Sequence, residues 1–533
     1  MSSLQHTQAL LDWGREVGIY VNPKLLIPAV FPPGYVGVQA TEAISPRETL
    51  LTIPNAALLS TKVTSPPELQ ELYSAHQELF SSTSKEHEDY KMIAYILFEL
   101  TKGENSYWSP YFKSLPLDPE NMLDWTAEDL SELQDPALAF DIKIRADKDK
   151  ECNKIFQNAL LECPDIFNLE NASMEKIIWA WRVIVTRSFG RVIPFPALIP
   201  IADLLNHENC KTCYYYGSET DMAPDYHPDG KDSDEEDDDE EIYESPVSIL
   251  LSSQKLHRIN FGAYEGEDLD IISKQIAAEA KKLDARLFLE KLKVADRVSE
   301  VVNLEESEEK RFRMVTAKDK GYEAGSQTYI PYGRYSNRML LTNYGFALTE
   351  NYYNYARIKF FLKEILSPKQ LEKLTQHYNE NMEIAFKFKK QYLNTDFLGI
   401  LRGLSWNHQF HQPQAFFSPT NFQLELESLN KMKILISQKY GEFPTTLEAD
   451  KAELSNTNIS RRYFALLYRI GVKECLTGQI LLINIAIKII ERLINGENLA
   501  DALKIIPELE EENNFVYHRK GLKEYTDKLQ EST

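Results

Sequence analysis

The stretch Leu198-Ile-Pro-Ile-Ala-Asp-Leu-Leu-Asn-His207 limits what this chain can fold into more than any other. An apolar run that ends in an amide and an imidazole belongs inside a core, and it delivers there two groups that each donate and accept hydrogen bonds. A second stretch answers it. Gln327-Thr-Tyr-Ile-Pro-Tyr-Gly333 alternates polar and apolar residues, reads as a short strand and breaks at Tyr332-Gly333, which leaves a phenol at a turn.

At 533 residues the chain exceeds what one core usually serves, so two or three domains are expected. Its formal net charge of −22 disfavours nucleic acid and anionic membrane surfaces and suits a basic protein as partner. Five cysteines at 152, 163, 210, 213 and 475 form no disulfide framework, which fits a reducing compartment. Cys210 and Cys213 lack a second pair at zinc-site spacing, so two ordinary thiols are expected and no metal. Met1–Gly14 has no signal-peptide pattern, and the apolar run Ile480–Ile490 is interrupted by Asn484 and Lys488. The expectation is a cytoplasmic monomer, with nuclear entry left open.

In chain order, Leu4, Ala9, Leu10, Leu11 and Trp13 predict a helix over 4–16, and Pro32–Gly37 reads as a turn-rich loop leading into strands at Val38–Ala40 and Thr49–Pro54. From about 65 to 185 the pattern is helical, with Met92, Ile93, Ile96, Leu97 and Leu100 on one face. The block Trp108-Ser-Pro-Tyr111 reads as core packing. Thr212–Tyr216 and Phe312–Ala317 read as paired strands. Between them lie about ninety residues that include the acidic run Asp234–Glu241, expected to be disordered, and a charged stretch, 268–300, expected to be helical. Beyond Phe346 the chain reads as almost wholly helical. Neither the glycine-rich turn of a dinucleotide fold, nor a phosphate loop, nor an HExxH helix is present.

Thr186-Arg187, Ile199-Pro-Ile-Ala-Asp203, Asn206-His207, Tyr332-Gly333, Ser336-Asn337 and Tyr344-Gly-Phe346 follow one another in an order that resembles the SET-domain protein methyltransferases. The resemblance is to the branch typified by plant Rubisco large-subunit lysine methyltransferase, with its ribosomal-protein and actin-modifying relatives. It implies an α+β fold: a split SET domain of small β-sheets with a knot-like C-terminal part, a helical insert and an all-α C-terminal domain. The implied divisions are 1–64 and 181–346 for the two SET parts, with an insertion at 217–310. The insert is 65–180, and a helical substrate-binding domain occupies 347–533.

The resemblance implies S-adenosyl-L-methionine as cofactor, held by backbone at Tyr35 and Val36 and by Arg187, Asp203, Asn206, His207, Tyr332 and Tyr344. Arg187 offers a planar fork to the cofactor carboxylate, Asn206 an oxygen to its ammonium, and His207 its backbone to the adenine edge. Asp203 stands either at the cofactor rim or as a helix-start cap. Tyr332 is the implied catalytic residue, orienting the amine, and Phe189, Tyr332 and Tyr344 line the implied substrate channel. Methyl transfer needs a neutral amine, whereas free lysine titrates near 10.4, so burial beside positive charge must lower that value. Two residues past the arginine, the actin-histidine relative carries an amide and lysine-modifying relatives an aromatic. Phe189 stands there, and an aromatic face suits a lysine stem. Lysine of a basic, non-histone protein, such as a ribosomal protein, is therefore the expected target. Histidine, or a catalytically inactive scaffold that binds a basic protein, are the alternatives.

Overall fold

Eight short strands form two small sheets that carry the motif residues. In the computed structural model these lie among residues 2–32, 34–63, 65–81, 87–190, 193, 195–218, 221, 310–365, 383–405, 419, 421–505 and 516–532, which are the residues described. The described residues divide into two units, with 2–131, 135–221 and 310–348 in one and 132–134 and everything from 349 in the other. The acidic run 234–241 and the expected helices of 268–300 fall outside the described residues.

The first unit opens with helix α1 (Ser2–Glu16), then β1 (Tyr20–Val21), β2 (Leu25–Phe31), β3 (Tyr35–Ala40) and β4 (Thr49–Ile53). The β2–β3 turn needs Gly34, whose φ of +139° a residue with a side chain rarely adopts. Helix α2 (His87–Thr101) is buried nearly all round through Met92, Ile93, Ala94, Ile96 and Leu97, so it is the spine of this core rather than a surface helix. Helices α3 (Ser109–Ser114), α4 (Pro136–Leu161) and α5 (Met174–Arg187) complete the helical segment. The Ser173 hydroxyl caps α5 by accepting from the Lys176 N–H, and Ile177, Ala180, Val183 and Ile184 form its buried stripe.

After α5 come β5 (Ser188–Phe189), β6 (Ala197–Leu198), β7 (Asn206–His207), β8 (Cys213–Gly217), β9 (Arg311–Val315) and β10 (Gln327–Ile330). One sheet has the order β1-β4-β9-β8, and the β8–β9 pairing runs from Cys213 opposite Val315 to Gly217 opposite Arg311, as alternation had suggested. The other has the order β2-β3-β10-β7. Its β10–β7 pair is parallel, setting Tyr329 opposite Asn206 and Ile330 opposite His207. That one pairing brings together two stretches more than a hundred residues apart. The Ser336-Asn337 and Tyr344-Gly345 motifs prove to be the two ends of helix α6 (Asn337–Tyr344): Ser336 caps its start, and Gly345, at φ +76°, closes it.

The second unit departs from the all-helical expectation. Strands β11 (Tyr355–Phe361) and β12 (Glu383–Lys389) form an antiparallel ribbon in full register, from Tyr355 opposite Lys389 to Phe361 opposite Glu383. Its buried side carries Phe360, Phe386 and Phe388, which gather around Phe397 of α7 (Thr395–Ser405) with ring centroids 4.6–5.5 Å apart. The remainder is helical, with α8 (Phe422–Gly441), α9 (Leu447–Leu454), α10 (Arg461–Ile494) and α11 (Val516–Ser532). α10 is long and apolar enough to cross a membrane by composition, but two thirds of its most apolar window (67%) is buried inside the protein.

Candidate active site

Arg187 reaches the site as the last residue of α5, where the negative end of the helix dipole favours a cation. The chain then turns into β5, so Phe189 follows on an extended backbone paired with β6. From the other side, Ile201 turns the chain sharply at φ +73°, an outlier for a β-branched residue that stores roughly 1–3 kcal/mol. A short 3-10 turn, Ala202–Leu204, follows and buries Asp203.

Asp203 is not a helix cap but a buried residue of the cavity wall. Its side chain is 1% exposed and its Oδ2 accepts from the Tyr111 hydroxyl at 2.9 Å and from Arg187 Nη1 at 3.2 Å. Arg187 Nη1 also donates to the Asp203 carbonyl at 2.9 Å. Asp203 thus holds the arginine, and Tyr111 is part of a polar chain rather than mere packing. Burial raises the Asp203 carboxyl above the usual carboxylate range, while the Arg187 charge and the Tyr111 hydroxyl oppose that rise. The Arg187 side chain keeps 23% exposure and lines the same cavity.

Tyr332 is held at both ends by the Leu205–His207 segment. Its hydroxyl donates to the Leu205 carbonyl at 3.0 Å and its N–H donates to His207 Nδ1 at 2.9 Å. The Ile330 carbonyl is also 3.3 Å from that nitrogen. The shorter contact decides the tautomer: Nδ1 is bare and Nε2 carries the proton. Burial pushes the imidazole down to about 4, so His207 is neutral, and its Nε2 has no hydrogen-bond partner among the described residues. The Tyr332 phenol is pushed up to about 12 by burial and keeps its proton.

A cavity of about 320 Å³, its mouth included, opens between these elements. Phe189, Tyr214, Tyr332 and Tyr344 share its wall with Arg187 and Asp203. Phe189 is 6% exposed, and its other contacts are the rings of Tyr214 and Phe312 at 5.1 and 5.3 Å, so it is a core residue with one face to the cavity. Tyr344, at the end of α6, stands 5.1 Å from the Tyr332 ring. Tyr214 was missed in the sequence, although its strand was legible, because three adjacent tyrosines give no sign of which one faces inward.

Asn206 lies apart from that wall. Its Nδ2 donates to the Val36 carbonyl at 3.0 Å, which ties β7 to the exposed turn of β3, and its amide oxygen has no partner among the described residues. Tyr35 and Val36 are about half exposed, at 47% and 48%. Gly37, at the end of the loop read from the sequence, allows this approach: a Cβ there would lie 2.5 Å from Gln327 Nε2 and 2.8 Å from Asn206 Nδ2.

A mixed fold with two small sheets, a parallel β10–β7 pair and a tyrosine pinned against an Asn-His segment defines a SET domain. It is the SET fold of the Rubisco-methyltransferase type: a crystal structure of the SET domain of LSMT bound to lysine and AdoHcy superposes with a TM-score of 0.52 at 16% identity, over 91% of this chain and 92% of that one. In sequence the chain is similar to N-lysine methyltransferase setd6 of Xenopus laevis, at 29% identity over 218 residues, 37% of this chain and 46% of that one. It is also similar to the chloroplastic ribulose-1,5 bisphosphate carboxylase/oxygenase large subunit N-methyltransferase of Pisum sativum, at 24% over 202 residues, 38% and 39% of the two chains. An actin-histidine N-methyltransferase of Xenopus tropicalis matches at 24% over 224 residues, 40% and 37%. Each match spans less than half the length of the relative. No family model matches the chain.

Proposed function

We propose that the chain is an S-adenosylmethionine-dependent protein-lysine N-methyltransferase acting on a basic protein. The observation that carries this reading is the buried phenol of Tyr332, fixed at its hydroxyl and its backbone by residues 205–207 and standing in an aromatic-walled cavity. The residues present suit a ligand that bears both a carboxylate and an ammonium: the Arg187 guanidinium belongs to a side chain that lines the cavity, and Asn206 has an amide oxygen without a partner among the described residues, beside the close approach at Gly37. Arg187, Asn206, the backbone of His207, and Tyr35 and Val36 would hold it. When bound, S-adenosylmethionine supplies an electrophilic methyl group on a sulfonium.

The rest follows from the chain itself. A phenol that keeps its proton up to about pH 12 is no general base. Because its proton already goes to the Leu205 carbonyl, Tyr332 shows the cavity only lone pairs. It can accept from an amine N–H and so turn the amine's own lone pair toward the methyl donor, an orientational contribution. Phe189, Tyr214 and Tyr344 shield the amine from water, and the Arg187 charge disfavours its protonated form. We assign docking of the protein substrate to the helical second unit.

Lysine is favoured over histidine because Phe189 presents a ring face and no hydrogen-bond partner. The test is calorimetric titration with S-adenosylhomocysteine, followed by mass spectrometry of proteins labelled in the presence of S-adenosylmethionine. Binding with methyl on lysine Nζ is expected. Methyl found on histidine alone would overturn the lysine assignment, and failure to bind would leave the scaffold alternative.

A further inference from the structure

Tyr111 is a fully buried polar side chain that the mechanism above does not use. It comes from α3, in the helical segment, and its hydroxyl donates to Asp203 Oδ2 at 2.9 Å. The same oxygen accepts from Arg187 Nη1 at 3.2 Å, and that Nη1 also donates to the Asp203 carbonyl. Asp203 Oδ1 has no hydrogen-bond partner among the described residues. A carboxylate 1% exposed survives as a charge only where donors and an opposite charge replace water, and here Tyr111 and Arg187 supply them.

We infer that Tyr111 is a positioning residue for the ligand-binding arginine: its hydroxyl holds Asp203 as the carboxylate that fixes the Arg187 guanidinium in the cavity wall. The inference rests on the methyl-transfer reading, in which Arg187 meets the carboxylate of the methyl donor. The groups that face Asp203 are Arg187 from the end of α5, Tyr111 from α3, and Tyr332 from the turn after β10, whose phenol stays protonated. Burial already raises the Asp203 carboxyl, and the Tyr111 hydroxyl pulls it down. Without that hydroxyl the carboxyl rises further and takes up a proton at a higher pH. Arg187 then keeps its bond to the Asp203 carbonyl but loses the charge that orients it. The loss therefore grows as pH falls.

The test is calorimetric titration of the full chain with S-adenosylhomocysteine at about pH 9 and about pH 6, for the parent, Tyr111→Phe and Asp203→Asn. At the higher pH, Tyr111→Phe should bind within about twofold of the parent, and at the lower pH about tenfold or more weakly, the value of a hydrogen bond to a charged group. Asp203→Asn, which cannot titrate, should bind weakly at both. A merely structural Tyr111 would give the same ratio of affinities at both pH values, and that result overturns the inference. Should Tyr111→Phe fail to fold, Asp203→Asn decides alone: binding equal to the parent at both pH values overturns it. If the parent itself does not bind, the methyl-transfer reading falls and the inference falls with it.

Discussion

The phenol of Tyr332 contributes a single directional contact, so its removal should separate chemistry from binding. In Tyr332→Phe the ring keeps its packing against His207 and Tyr344, at 5.1 Å each. Transfer rate should fall on the order of a hundredfold or more while affinity for S-adenosylhomocysteine stays within about twofold. Single-turnover kinetics beside calorimetry would check this; equal losses in both would mean the residue merely shapes the pocket. His207 carries a second residue-scale expectation. Its imidazole titrates near 4 in the fold, below the ordinary value of about 6.5, so the unfolded chain takes up the proton first as pH falls. The full stability is present above about pH 6.5 and drains away as pH drops toward 4, by about 2 kcal/mol between pH 6.5 and 4.5. Urea denaturation of the parent and of His207→Gln at those two pH values should show the variant losing less.

At the scale of elements, close approach matters more than side-chain chemistry. Gly37 sits in β3 where any side chain meets Gln327 and Asn206. Gly37→Ala should displace Asn206 from the Val36 carbonyl and weaken S-adenosylhomocysteine binding about tenfold, at a stability cost of about 1–3 kcal/mol. Unchanged affinity by calorimetry would remove β3 from the binding site. The elements also show what the sequence could and could not reveal. Helices α1 and α2 and the β8–β9 pair were legible because their periodicity is local. The β11–β12 ribbon was misread as helix: Ala356, Ile358 and Phe360 alternate with Arg357 and Lys359, but the helical surroundings overshadowed that period of two. Tyr111 was not legible in the same way. Its hydroxyl matters because a turn 92 residues further on places Asp203 against it, and no local pattern records such a meeting. The parallel β7–β10 pair, with β7 only two residues long, was equally out of reach.

For the molecule as a whole, each unit carries its own core and its own buried charge. In the helical unit Lys473 and Asp450 pair at 2.5 Å with both side chains fully buried, and Arg469 reaches the same carboxylate at 2.9 Å. Removing the negative partner leaves Lys473 buried without an opposite charge, while Arg469 keeps Glu453 and Glu132. Asp450→Ala should therefore destabilise this unit by about 3–5 kcal/mol. Differential scanning calorimetry should show a transition displaced downward, and an unshifted trace would mean that water reaches the pair.

The β8–β9 ladder ends at Gly217 opposite Arg311, and the roughly ninety residues between them connect neighbouring strands. A hairpin connection of that kind tolerates length cheaply, at about 0.6 kcal/mol per doubling. It also tolerates being opened. A chain ending just past Gly217 and another beginning just before Arg311 would together carry every strand of both sheets, the second piece supplying β9 between β4 and β8 and β10 between β3 and β7. Asn206 and His207 would lie on one piece and Tyr332 on the other. Neither piece alone could then bind S-adenosylhomocysteine, and the restored site would report that two separate polypeptides had found each other.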